Sequence, residues 1–340
     1  MFANRIDRRG LLGAGLALAA GAALPKAAFA ADEPKHVTYM TPFGFLISFA
    51  EVMYGESGGF FAKEGLDLKI EGGHGSAMSV QQVSAGNVLL SRTGGTDLVK
   101  AYAKDPTIVA IAEIFQRDIF YVISAADKPI KSPADMAGKT IGLVSVGGAT
   151  ENLLDMMLVK AGVPKGEVKR ETTGDNPGAF EFVKRGRVDG FIASNNTIFG
   201  LQNQKAPVVA WPVDEFASFP AQVYMTSRKT LETQTEELAK FLRGVYAAIG
   251  DMIAKKGDLA PVIASMSAHY DIPETKRPDK GIATLEHTIE TTYKPAYDAK
   301  LAMVPGQWDS AYALMVKAGI VPELKTHDFY DDRARKLAFG

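Results

Sequence analysis

The chain has 340 residues, with 38 lysines and arginines against 39 aspartates and glutamates, a formal charge of −1 and no cysteine. That length exceeds one ordinary domain and leaves room for two cores. A near-neutral balance without basic blocks argues against a nucleic-acid partner, which needs its phosphates neutralised. The missing cysteines remove disulfides, thiolate catalysis, Cys-ligated zinc and a lipidated-cysteine anchor. The five histidines (His36, His74, His269, His287 and His327) show no metal-ligand spacing, so neither a metal nor a cofactor is expected.

In chain order, the first element is a leader. Arg5, Arg8 and Arg9 precede an uncharged Ala, Leu and Gly stretch from Gly10 to Pro25, and Ala28-Phe29-Ala30 supplies a small-x-small cleavage pattern. This predicts a signal peptide cut after Ala30 and an exported, periplasmic product. The stretch is too short and too glycine-rich for the roughly 20 apolar residues of a membrane span. Asp7-Arg8-Arg9-Gly10-Leu11-Leu12 resembles a twin-arginine signal, although a basic pair before an apolar run also occurs in ordinary export signals.

β-rich runs then alternate with helical ones, the pattern of βα units around largely parallel sheets. Strands are predicted at 36–40, 67–70, 88–92 and 108–115, and again at 140–144, 168–172, 188–193 and 208–211. Helices are predicted at 48–61, with a glycine-marked stop at Gly65, at 76–85 after the Gly72-Gly73 loop, and at 150–161 ending before Gly162. Two further apolar runs, Phe120–Ser124 and Gln222–Thr226, are expected to cross between lobes. The pattern therefore predicts an α/β clamp with lobe 1 at 31–120 and 227–340, lobe 2 at 121–226, and a double hinge. From Glu232 onward the spacing of apolar residues is helical throughout.

Two segments carry a family resemblance. Glu56-Ser57-Gly58-Gly59-Phe60-Phe61-Ala62-Lys63-Glu64-Gly65-Leu66-Asp67-Leu68 and Ser132-Pro133-Ala134-Asp135-Met136-Ala137-Gly138-Lys139-Thr140-Ile141-Gly142 resemble corresponding segments of the SsuA/TauA/NMT1-THI5-like periplasmic binding proteins. The resemblance implies the type II periplasmic-binding fold and delivery of a small molecule to an ABC permease. Sulfonates, taurine, nitrate and thiamine-precursor pyrimidines are ligands within that group, so the resemblance leaves the cargo open. On residue chemistry alone, Phe60 and Phe61 are expected to pack as scaffold.

In open α/β sheets, ligands lie beyond the carboxyl ends of the strands. In the first lobe that rule selects Phe43 and Phe45 after the first strand, and Ser76 beside His74 in a glycine-rich loop. It also selects Arg92, Thr93, Gly94, Gly95 and Thr96 after the third strand, and Phe115, Gln116 and Arg117 after the fourth. Ser76 is expected mainly to cap its helix, His74 to face solvent, and Arg92 either to pair with an anion or to bridge to a neighbour such as Asp97. In the second lobe the candidates are Ser145, Gly147, Gly148, Ala149 and Thr150, where a helix N-terminus offers free N–H groups to an oxyanion, followed by Asn176, Asn195 and Asn196. Thr150 is equally a helix cap, with Glu151 complementing the helix dipole.

The sequence contains no nucleophile elbow, P-loop or defensible catalytic spacing, so binding without chemistry is expected, by a monomer that hands its ligand to a permease. Cations and a helix start favour a sulfonate-like or aromatic-acid ligand, while the phenylalanines and asparagines suit a pyrimidine. A pyrimidine-synthesis enzyme on the same fold is the rival class, and its family counterpart carries a cysteine-rich segment that this chain lacks. A sensor subunit presenting ligand to a membrane receptor is a third reading.

Overall fold

A computed structural model describes residues 33–340; the leader and its cleavage site lie outside the described residues. These residues form ten strands: β1 (Lys35–Thr41), β2 (Leu66–Gly72), β3 (Leu90–Thr93), β4 (Ile108–Phe115), β5 (Phe120–Ala125), β6 (Thr140–Leu143), β7 (Lys169–Thr172), β8 (Gly190–Ser194), β9 (Val208–Pro212) and β10 (Gln222–Ser227). They make two five-stranded sheets, ordered β2-β1-β3-β10-β4 and β7-β6-β8-β5-β9. Within each, β1 to β3 and β6 to β8 pair in parallel, as right-handed βα units require.

β5 and β10 differ from the sequence expectation. Both were predicted to cross between lobes, yet each is an antiparallel strand inside one sheet, β5 between β8 and β9 and β10 between β3 and β4. The reason is geometric. A chain arriving from the opposite lobe enters a sheet at the edge facing that lobe, where the parallel strands end, and must run back against them. Accordingly Phe120 is in register with Ser194, the last residue of β8, and Gln222 with Phe115, the last residue of β4. Sheet membership thus changes between Phe115 and Phe120, and again between Pro212 and Gln222. β10 thus lies in the sheet of β1 to β4.

The first helical stretch is also interrupted: helix Ala50–Ser57 stops before Gly59, whose left-handed φ of 74° restarts the chain as the short helix Phe60–Lys63. The break lets Phe61 turn inward, where it is 1% exposed and stacks on Phe241 at 5.2 Å. A Cβ on Gly244 would lie 2.4 Å from the Phe61 ring, so helix Thr235–Ala254 approaches closely only because that position is glycine. Phe60 and Phe61 thus pack against the scaffold, and one apolar core binds the first sheet to the C-terminal helices.

Candidate functional site

The floor of the first lobe is built where β1, β3 and β4 end and β10 begins. Arg92, on β3, is only 2% exposed, and its Nη1 lies 2.8 Å from Oε1 of Glu51, which is fully buried. The same nitrogen donates to the Ser48 carbonyl at 2.7 Å, and Nε donates to Gln222 Oε1 at 3.2 Å. Its guanidinium plane lies between Phe49 and Phe115, 4.3 and 4.5 Å from their ring centres. Two phenols complete the carboxylate's shell: Tyr293 donates to Glu51 at 2.6 Å and Tyr224 at 3.0 Å.

Burial, and next the Glu51 charge, push the phenols of Tyr39, Tyr224 and Tyr293 well above their ordinary range, so all three stay protonated and the latter two donate to Glu51. Burial works against the charge on Arg92, the Glu51 charge opposes burial, and the net shift is upward. Arg92 is therefore not the free cation predicted for an anionic ligand, and its ion-pair partner is Glu51 rather than Asp97. The two charges cancel, leaving a neutral, aromatic floor.

The other first-lobe candidates divide between surface and scaffold. Phe43 is 46% exposed and bridges to His74, itself exposed, while Phe45 packs on Tyr270 at 5.1 Å. Ser76 does not cap its helix: Gly75 holds that position, and no side chain bonds the first turn. Thr93 is fully buried and its hydroxyl has no partner among the described residues. Gly95 serves packing, since a Cβ there would meet the Pro220 carbonyl at 2.4 Å. Gln116 donates to the Ala302 carbonyl at 3.0 Å, and Arg117 is exposed.

Across the cleft, Thr150 accepts from the Val144 amide at 3.2 Å rather than capping its helix, whose N-cap is Gly148. Glu151 accepts from the Gly147 amide and pairs with Arg170 at 3.2 Å, so one N–H of the predicted oxyanion loop is already occupied by a carboxylate. Ser145 packs beneath Gly148, its Oγ 2.4 Å from where a Cβ would stand. Asn176 is used as a cap, accepting from the Gly178 amide at 2.9 Å. Asn196 has a buried Oδ1 with no partner among the described residues.

The two lobes touch at both ends of the cleft. At one end Lys100 donates to the Gly147 carbonyl and to Asn152 Oδ1, both at 3.1 Å, and Asn152 reaches Asp97 at 3.3 Å and Thr96 at 3.4 Å. Gly94 and Ala149 also meet there, with 3.5 Å between the Ala149 Cβ and a Cβ built on Gly94. At the other end Asn195 donates to Thr291 at 3.0 Å, and Phe199 stacks on His287 at 4.4 Å. Thr291 and Tyr293 belong to one π-helical turn, Ile289–Tyr293, so this turn holds both the floor carboxylate and the opposite lobe.

Two carboxylates sit in the connecting segments themselves. Asp118, between β4 and β5, is pushed up to about 8 by burial and by the neighbouring charge of Asp214, and it accepts from the Phe120 amide at 2.8 Å. Asp214, between β9 and β10, has a buried Oδ1 without a partner among the described residues. Sequence reasoning missed Glu51, Asn152, Asp118 and both tyrosines. The one available signal was Glu51 itself, a lone acid in the apolar run Ala50-Glu51-Val52-Met53. No group of three or more metal-ligating residues occurs among the described residues, and no helix there is long and apolar enough to cross a membrane.

Paired α/β lobes, each with one antiparallel strand entering from the shared cleft, define a two-lobed binding fold of the periplasmic type. Solved structures agree. The alkanesulfonate-binding protein SsuA of Xanthomonas axonopodis pv. citri, bound to MOPS, superposes with a TM-score of 0.61 at 12% identity, covering 86% of this chain and 96% of that one. The periplasmic aliphatic sulphonate binding protein SsuA of Escherichia coli gives 0.62 at 15% identity, covering 89% and 92%. At these identities the likeness establishes the fold alone. The model described as NMT1/THI5 like matches residues 47–257, more than half of the chain, and the chain belongs to this NMT1/THI5-like family. A formylaminopyrimidine-binding protein of Halalkalibacterium halodurans is 24% identical over 219 residues, which span 63% of this chain and 66% of that protein, just under two thirds of its length.

Proposed function

We propose that this chain is the exported solute-binding component of an ABC importer, and that its solute is an uncharged or weakly basic aromatic heterocycle of the aminopyrimidine kind. The observation that carries the ligand class is the buried Arg92–Glu51 ion pair, which removes the cation that an anionic ligand would need on the floor. The exposed ring of Phe43, the unpartnered Asn196 oxygen and the carboxyls of Asp118 and Asp214 suit a ring bearing amino groups. The relative named for a formylaminopyrimidine supports the same choice. Capture needs no chemistry: the ligand binds the closed arrangement more tightly than the open one and shifts the population toward it. Membership of the family supports delivery to a permease, and the leader supports export.

A thermal-shift panel of aminopyrimidines, alkanesulfonates, aromatic acids and nitrate tests the ligand class. An aminopyrimidine at 100 times its Kd is expected to stabilise the protein by about 2.7 kcal/mol, with no shift from sulfonates. A shift by sulfonates alone returns the ligand to the anions, and turnover of the pyrimidine would make the protein an enzyme.

A further inference from the structure

Arg92 has the features of an anion receptor: it lies at the carboxyl edge of a sheet, is clamped between two aromatic faces and is oriented by Gln222 and the Ser48 carbonyl. Its position is already taken by an anion belonging to the chain. Glu51 reaches it from the helix Ala50–Ser57, held by phenols from β10 and from the π-helical turn. Fully burying a carboxylate and a guanidinium is costly, and a pair of apolar side chains would usually serve stability as well or better. We infer that Glu51 is a specificity-determining residue, a resident counter-anion that keeps the cleft floor neutral and so rejects solutes with a charged acidic head. This rests on the heterocycle reading above and assigns that selectivity to one side chain.

If so, removing the carboxylate converts the selectivity. Glu51→Gln keeps the side-chain shape and leaves Arg92 with a net positive charge on the floor. At about 8 Å and an effective dielectric near 20, the Coulomb attraction for a sulfonate corresponds to roughly tenfold tighter binding or more. Tyr224 still finds an acceptor in the glutamine oxygen on the Arg92 side, Tyr293 accepts from the new amide N–H and keeps the Ser48 carbonyl at 3.2 Å for its own proton, and Gln222 still orients Arg92.

The test is calorimetric titration of butanesulfonate into the wild-type protein, Glu51→Gln, and the double variant Glu51→Gln/Arg92→Gln. The inference predicts binding by the single variant, at least tenfold tighter than by the wild type, with the gain abolished in the double variant. A folded Glu51→Gln protein that ignores butanesulfonate overturns it, and so does equal gain in the double variant. If the single variant is too unstable to titrate, its melting temperature should rise with butanesulfonate more than that of the double variant, and equal rises overturn the inference. Aminopyrimidine binding by the wild type is scored separately: wild-type pyrimidine binding with no gain in Glu51→Gln sinks the counter-anion role alone, whereas tight wild-type sulfonate binding sinks the heterocycle reading as well.

Discussion

Replacing Arg92 with methionine is expected to cost about 3–5 kcal/mol of unfolding free energy, because it strands the Glu51 carboxylate in a site closed to water. The guanidinium is held by Ser48, Gln222, Phe49 and Phe115 as well, so the loss includes packing and not charge alone. Arg92→Met/Glu51→Gln should recover a substantial part of it, since the double variant contains no unpaired buried charge. Denaturant unfolding of the two single variants and the double variant gives the coupling free energy directly. Additive losses would mean that the pair does not act as a unit, and the neutral-floor argument would lose its basis.

The second large effect concerns Glu113, a fully buried residue on β4. Its Oε1 accepts from Trp308 Nε1 at 2.7 Å and from the Val304 amide at 3.1 Å, while Oε2 has no partner among the described residues. Burial raises its pKa from 4.5 to about 7 despite those two donors. The folded state thus holds this proton more tightly than the unfolded chain. The associated stability is fully present below pH 4.5 and is lost as the pH rises through 7. At 1.36 kcal/mol per unit the loss is about 3 kcal/mol. Glu113→Gln keeps the acceptor and removes the titration, so its stability advantage over the wild type should grow by about 3 kcal/mol between pH 4.5 and pH 8 in chemical unfolding. A difference that does not change with pH would show that Glu113 titrates normally.

Much of the fold was legible because alternation and glycine punctuation are local signals. The predicted strands fall within a few residues of those formed, and the Gly65 and Gly162 stops were visible in the chain. Sheet membership was not legible for β5 and β10, because an apolar run does not disclose its direction or its partner; these depend on where the chain enters a sheet. The site followed the same division. The loop positions were found by rule, but their roles turned on partners remote in sequence. Arg92 and Glu51 are 41 residues apart, and Tyr293 reaches Glu51 from a separation of 242. Asn152, which touches Asp97 from the opposite lobe, looked like an ordinary helix residue. Ser76 and Thr150 were credible caps until glycines proved to occupy the capping positions.

The proposed capture between the lobes requires that contacts such as Lys100 to Gly147 and Asn195 to Thr291 form in the ligand-bound state and open in a second state without it. Small-angle scattering of the protein alone and saturated with the aminopyrimidine that most raises its melting temperature tests this directly. The account predicts a smaller radius of gyration on saturation, matching the lobe-to-lobe contacts described above. Saturation proven by calorimetry with an unchanged scattering profile would contradict it.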